Sequence, residues 1–106
     1  MAKYALLYRG GGGMPETPEE GKKIMAAWMT WYGALGEAVS DGGAPFGPSL
    51  SISADGGRAP NAPSGLSGYT ILTADNLEAA TEMASGCPVL AGGGAVDVYE
   101  RIDMEM

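Results

Sequence analysis

The chain has 106 residues, 45% of them hydrophobic, and 13 acidic side chains against 6 basic ones give a formal charge of −7. That length predicts a single domain, residues 1–106, able to bury roughly 60–70% of its unfolded surface, and that composition excludes a disordered chain. No apolar run approaches the ~20 residues of a membrane helix, and Lys3, Arg9, Lys22, Lys23, Arg58 and Arg101 are dispersed, so neither a membrane nor a nucleic acid is expected as partner.

Lys3 to Arg9 is apolar or aromatic on both faces, as in a strand buried inside a sheet. Met1 to Arg9 also lacks the pattern of a signal peptide, and a lone cysteine forms no internal disulfide, which together predict a cytoplasmic protein. Gly10 to Gly13, with Met14 and Pro15, reads as a flexible connection. A phosphate cradle there would need a lysine and a Ser/Thr in fixed places; the nearest approach, Gly21-Lys22-Lys23, does not supply them.

Thr17 to Val39 reads as the one long helix. Thr17 and Glu20 form a capping box with Pro18 at the first helical position. Ile24, Trp28, Trp31, Leu35 and Val39 share one face and should be core. Met25, Met29 and Tyr32 widen the apolar sector, so that flank should be covered too. Gly33 and Gly36 each cost roughly 1 kcal/mol in a helix, which makes most sense if a ring or backbone approaches closely.

Ser40 to Gly43 reads as a turn, and Ser49 to Ser53 as an edge strand after two prolines. Asp55 to Arg58 has the chemistry of a hairpin turn, but Ala59 to Ser64 is too proline-rich to begin a strand at once. Gly68 to Thr73 is the third strand. Asp75, with Glu78, should cap a second helix carrying Leu77, Ala80, Met83, Ala84 and Cys87 on one side, ended by Gly86 and Pro88. Ala95 to Ile102 is the last strand.

The order βαββαβ predicts an α+β, ferredoxin-like fold: a four-stranded antiparallel sheet with two helices on one face. The helices leave the other face open, yet Tyr4, Leu6 and Tyr8 alternate with Ala5 and Leu7, and Tyr69 and Ile71 with Leu72. Both faces are apolar. A patch of that size on a monomer is unusual, so a homodimer packing sheet on sheet around a shared cavity is expected. The last strand should place Asp97, Tyr99 and Arg101 on one face, Val96 and Val98 on the other.

With no histidine in the chain, the commonest general base and metal ligand are missing, and neither metal nor cofactor is expected. Asp41 and Asp55 read as turn residues. Cys87 falls at the C-terminal end of the second helix, where the helix dipole disfavours a thiolate, and reads as structural. Trp28, Trp31 and Tyr32 could line a pocket for a planar ligand but fit core better. Arg58, Arg9 and Arg101 can grip a carboxylate with two prongs. The candidate ligand-binding residues are therefore Tyr8, Arg58, Tyr69, Asp97, Tyr99 and Arg101.

The segments K-Y-A-L-L-Y, A-A-W-M-T-W-Y-G-A-L-G-E, G-Y-T-I-L-T-A-D-N-L-E-A-A-T-E-M-A-S-G-C-P and G-G-G-A-V-D-V-Y-E, in this order and spacing, resemble the YCII-related family and its DGPF-type branch. The resemblance implies a ferredoxin-like dimeric α+β barrel, in a family of small, mostly uncharacterised bacterial proteins. The family's proposed His/Asp pair has no counterpart here: histidine is absent, and Cys87 precedes Pro88 where many relatives carry aspartate. The D-G-P-F segment is also missing, with Pro63-Ser64-Gly65 near its place. Two functions follow as expectations. The first is small-molecule binding or an accessory role without His-dependent catalysis; the alternative is a cofactor-independent isomerase, lyase or monooxygenase-like enzyme acting on a small phenolic or lactone substrate. A pure oligomerisation scaffold is a third possibility and would have a barrel filled solid with side chains.

Overall fold

A computed structural model of the chain describes residues 2–10 and 17–104. The elements are β1 (Ala2–Arg9), α1 (Pro18–Leu35), a 3-10 turn (Gly36–Ala38), β2 (Val39–Pro45), β3 (Leu50–Ile52), β4 (Arg58–Pro60), β5 (Leu66–Ala74), α2 (Leu77–Ala84), α3 (Pro88–Ala91) and β6 (Ala95–Glu100). Four strands form an antiparallel sheet in the order β2-β5-β1-β6, while β3 and β4 form a separate two-stranded sheet. This α+β arrangement is compatible with a ferredoxin-like sheet, enlarged by the 3-10 turn, the β3–β4 hairpin and α3. The Gly10 to Pro15 connection lies outside the described residues except for Gly10.

Strand alternation decides what the core is made of. On one face of the sheet Tyr4, Leu6 and Tyr8 of β1 stand opposite Leu72, Thr70 and Gly68 of β5, and opposite Glu100, Val98 and Val96 of β6. Leu6, Tyr8 and Leu72 cluster with Trp31, Ala84, Cys87 and Val89 from the helical layer, and Tyr4 clusters with Ala74 and Ala80. α2 therefore contributes the small residues Ala80 and Ala84, which bring its backbone near the sheet. α1 stands farther off and reaches the core with large aromatic rings. Trp28 sits edge-on to Tyr8 at 5.5 Å between centroids, and the Trp31 indole N–H donates to the Met83 carbonyl at 3.0 Å, tying α1 to α2.

The Thr17 half of the α1 capping box forms: the Thr17 side chain accepts from the Glu20 amide at 3.1 Å. The helix stops at Leu35, because Gly36 leaves helical geometry with φ 55°, and Val39 begins β2. Its predicted core line holds only in part. Trp31 is buried and Trp28, Leu35 and Val39 are half-buried, but Ile24 is 47% exposed, and Met25 and Met29 are 65% and 67% exposed. No described element covers that flank. Among the described residues nothing approaches Gly33 or Gly36 either; rings approach Gly86, where a Cβ would lie 3.3 Å from Cδ1 of Trp31, and Gly68, where it would lie 3.4 Å from Cδ2 of Tyr8.

Four local readings are corrected. Ser40 to Gly43 is strand, not turn: the register of β2 on β5 slips twice, between Val39 and Asp41 and between Asp41 and Ala44, and these bulges absorb the glycines. Gly43 has φ 76°, and a Cβ there would fall 1.6 Å from the Tyr69 carbonyl oxygen. The predicted second strand of the sheet, Ser49 to Ser53, is instead β3 of the separate hairpin, because the bulged Val39–Pro45 segment already fills the sheet edge. Arg58–Pro60 pairs with it directly after the turn despite its proline, since a two-stranded ribbon leaves proline's missing donor on an outer edge. Asn76, not Asp75, caps α2, with its side-chain oxygen accepting from the Ala79 amide at 2.8 Å.

The molecule measures 44 × 40 × 19 Å. A thickness of 19 Å corresponds to one sheet and one helical layer, since packed layers stand ~10 Å apart. The second face of the sheet is left uncovered by the other described elements.

Candidate functional site

The uncovered face is a regular grid fixed by the ladder register. Its central strand, β1, presents Lys3, Ala5, Leu7 and Arg9. Ala5 lies between Ile71 of β5 and Tyr99 of β6, and Leu7 between Tyr69 and Asp97. The small side chain of Ala5, flanked by Tyr99 and Ile71, makes the middle of the grid its lowest point. Tyr99 is 60% exposed, while Ala5, Leu7, Tyr69 and Ile71 are half-buried by one another.

The rim is polar. Arg9 grips Asp97 with two prongs, Nε to Oδ2 at 2.8 Å and Nη2 to Oδ1 at 3.0 Å. Hydrogen bonding to that carboxylate, and its charge, raise the Arg9 pKa further above its ordinary value. At the corner nearest β2, Phe46 stacks on Tyr69 at 5.6 Å, and the Tyr69 hydroxyl points to Asp41 at 3.4 Å. At the opposite end the ladder continues past β6: the Arg101 amide donates to the Lys3 carbonyl at 2.8 Å, and the Arg101 guanidinium pairs with Asp103. The face thus has an apolar, aromatic centre with an arginine–aspartate pair at each end, Arg9 with Asp97 and Arg101 with Asp103, and Lys3 beside the second pair.

Of the six candidate residues, Tyr69, Asp97, Tyr99 and Arg101 fall on this face. Tyr8 does not. It is 4% exposed on the helix-covered side, where its hydroxyl donates to Thr70 Oγ1 at 2.5 Å. Thr70 and Tyr32 each donate to the Gly42 carbonyl, at 3.1 and 2.9 Å, an oxygen that the β2 bulge frees from the ladder. Burial pushes the Tyr8 pKa far above that of a free phenol. Strand period separates Tyr8 from Asp97: Leu7 is the residue opposite Asp97, and its successor must point the other way. Arg58 is also apart, exposed on the β3–β4 hairpin. Two residues of the face, Arg9 as a fixed partner of Asp97 and Ala5 as the low point, emerge only from the register.

Cys87 is buried in the core, next to Tyr8, and burial raises its thiol pKa. It stands at the start of α3 and not at the end of α2, so the dipole reasoning applied to the wrong helix end; desolvation alone makes it inert. Among the described residues no helix is long and apolar enough to cross a membrane. Two surface hollows lie beside α2: one of about 620 Å³ at Leu77, Glu78, Thr81, Glu82 and Ser85, away from the open face, and one of about 420 Å³ between Leu77 and Thr81 and Val96 to Tyr99 of β6, which reaches the edge of the open face at Asp97 and Tyr99. Comparison with protein-family models and with curated proteins finds no match to the chain.

Proposed function

We propose that the chain is a binding protein for a small, planar, partly apolar ligand carrying an anionic group, and that it works as a homodimer of the ferredoxin-like, dimeric α+β barrel type suggested by its resemblance to the YCII-related family. One observation carries this reading: the sheet face that the chain leaves uncovered has an aromatic and aliphatic centre bounded by fixed charges. Tyr69 and Tyr99 offer ring faces, Ala5 leaves room between Tyr99 and Ile71, and Lys3, which has no ion-pair partner among the described residues, offers positive charge to a carboxylate beside the Arg101–Asp103 pair. A second copy over this face would exclude water and turn the open grid into a cavity.

Binding fits the arrangement better than acid/base catalysis. Asp97, the carboxylate nearest the centre, has both oxygens engaged by Arg9 and is not free to take a proton. Tyr8, whose phenol would have been the natural partner of Asp97, lies on the far side of the sheet. The test is a thermal-shift and calorimetric survey of small aromatic carboxylates against the wild type and the Tyr99→Ala and Lys3→Ala variants. A ligand that stabilises the wild type and loses at least tenfold in affinity with each variant supports the reading. A well-folded dimer that takes up none of them, or binding that both variants leave unchanged, overturns it.

A further inference from the structure

The β3–β4 hairpin is built as an arm. A two-stranded ribbon alone is marginal in water, yet this one is closed firmly at both ends. At the turn, Ser53 Oγ donates to Asp55 Oδ1 at 2.6 Å, the Gly57 amide donates to the same oxygen at 2.9 Å, and the Ser53 amide donates to the Gly57 carbonyl at 2.8 Å. At the root, Ser49 takes the Asn61 amide on its carbonyl and the Ala62 amide on its hydroxyl. Leu50 and Ile52 point from the same face and are 67% and 68% exposed. Arg58 stands opposite Ile52 on that face, and among the described residues it has no ion-pair partner. A preorganised ribbon that displays two aliphatic side chains and an unpaired guanidinium has the form of a docking element.

The surface area says how much remains to be covered. A monomer of this mass is expected to expose about 5,500 Å², whereas this chain exposes 7485 Å². The excess is well above the ~800 Å² that each partner gives to a typical stable interface. That area is enough for an interface of ordinary size, and the complementary surface points to a second copy.

A receptor of matching chemistry exists on the same chain, and so on any second copy. The groove between α2 and β6 has Leu77 and Thr81 on one wall and Val96, Asp97, Val98 and Tyr99 on the other, with Leu77 48% exposed. Glu78 and Glu82 stand one helical turn apart beside it. α2 contains no lysine or arginine, and neither glutamate has an ion-pair partner among the described residues. Two like charges at that spacing repel and gain from a cation. β6 is also an edge strand without proline, glycine or bulge, in contrast to the bulged β2 edge. Such an edge favours docking of an extended segment.

We infer that the β3–β4 arm of one copy docks in the α2–β6 groove of a second copy, with Leu50 and Ile52 on its apolar walls and Arg58 between Glu78 and Glu82. This rests on the homodimer of the proposed function and adds the contact that fixes the two copies relative to each other. The arms would brace the dimer around the ligand face at the sheet edges.

Sedimentation equilibrium of charge variants tests it, with circular dichroism and melting to confirm folding; the substituted side chains of the arm and of α2 are exposed, and Leu7 is half-buried. Arg58→Glu should raise the dimer dissociation constant about tenfold or more, Glu78→Lys with Glu82→Lys should do the same, and combining all three should return it to within about threefold of the wild type. Leu50→Ser with Ile52→Ser should weaken the dimer without any salt dependence. Leu7→Glu, on the open face, tests the sheet-to-sheet dimer separately. A dimer broken by Leu7→Glu but untouched by the arm variants overturns the arm contact alone. A dimer broken by the arm variants and restored by the charge exchange, but indifferent to Leu7→Glu, upholds the arm and overturns the sheet-to-sheet arrangement. A wild type that stays monomeric at about 100 μM overturns both.

Discussion

The two faces of the main sheet are made from neighbouring residues of the same strands and have opposite fates. On the covered face Leu6, Tyr8, Thr70 and Leu72 are all buried, and every buried side-chain polar atom among the described residues has a partner. On the open face Ala5, Leu7, Tyr69 and Ile71 are only half-buried, and the polar groups are drawn to the rim in the Arg9–Asp97 and Tyr69–Asp41 contacts. The covered face is closed by α1, α2 and α3 of its own chain; the other has apolar chemistry and no lid among the described residues. A face that is apolar without being filled is a surface waiting for a partner or ligand, and the difference lies in what is packed against the strands, not in their hydrophobicity.

The largest test of this contrast compares Leu6 with Leu7. Leu6→Ala should cost about 2–5 kcal/mol in urea unfolding at any protein concentration, because it opens a cavity beneath the helices. Leu7→Ala should cost about 1 kcal/mol or less in dilute solution and more as concentration rises and the face becomes covered. Equal, concentration-independent losses would mean that the faces do not differ as described.

Next in size is Gly43→Ala. Its Cβ would collide with the Tyr69 backbone at a position of positive φ, so the β2 edge must shift at a cost of about 2 kcal/mol or more. Hydrogen exchange should show the loss confined at first to β2 and the Tyr69–Thr70 segment of β5; uniform loss over the sheet would deny the edge its separate role.

Tyr8→Phe should cost about 1 kcal/mol, since Thr70 keeps its bond to Gly42 when the phenol is removed. Ligand affinity should be unchanged, because Tyr8 is under the helices. A large loss of affinity with intact stability would place Tyr8 functionally on the wrong face.

The smallest effect concerns pH. Tyr8 and Cys87 are both held protonated by burial, with pKa values above those of the unfolded chain. Above about pH 9 the unfolded state releases these protons first, so their contribution to stability is complete at neutral pH and falls as pH rises. Melting temperature should decline between pH 9 and 10.5, and Cys87→Ala should flatten the beginning of that decline. A thiol reagent at neutral pH should modify Cys87 only at the rate of unfolding; rapid modification would show the covered face to be open.

How much was legible in the sequence varies by element. β1, β5 and β6 could be placed because alternation and β-branched or aromatic content agree, and the Thr17 cap because its partner amide is local. The division of Asp97 and Tyr99 from Val96 and Val98 also follows from a period of two. The Ser40 to Gly43 bulges were not legible: Asp-Gly-Gly has the composition of a turn, and only pairing to Tyr69 and Ile71 makes it strand. Ala59 and Pro60 were read as loop because the hairpin that accommodates them is set apart from the sheet. Of the candidate site, Tyr69, Asp97, Tyr99 and Arg101 reach one face, whereas Tyr8 was drawn in by its chemistry although its strand parity assigns it to the covered side.

The sequence by itself determined an α+β chain with an antiparallel sheet, two apolar strand faces, an aromatic helix and no imidazole chemistry, because periodicity, capping and composition are properties of neighbours along the chain. Only the tertiary structure decided which apolar face the helices close, that Arg9 engages Asp97, that the Ile24, Met25 and Met29 flank of α1 is left outside, and that Leu50 to Pro60 stands clear as an arm. These outcomes depend on strand register and on the reach of α1, and both are set by contacts between residues far apart in sequence.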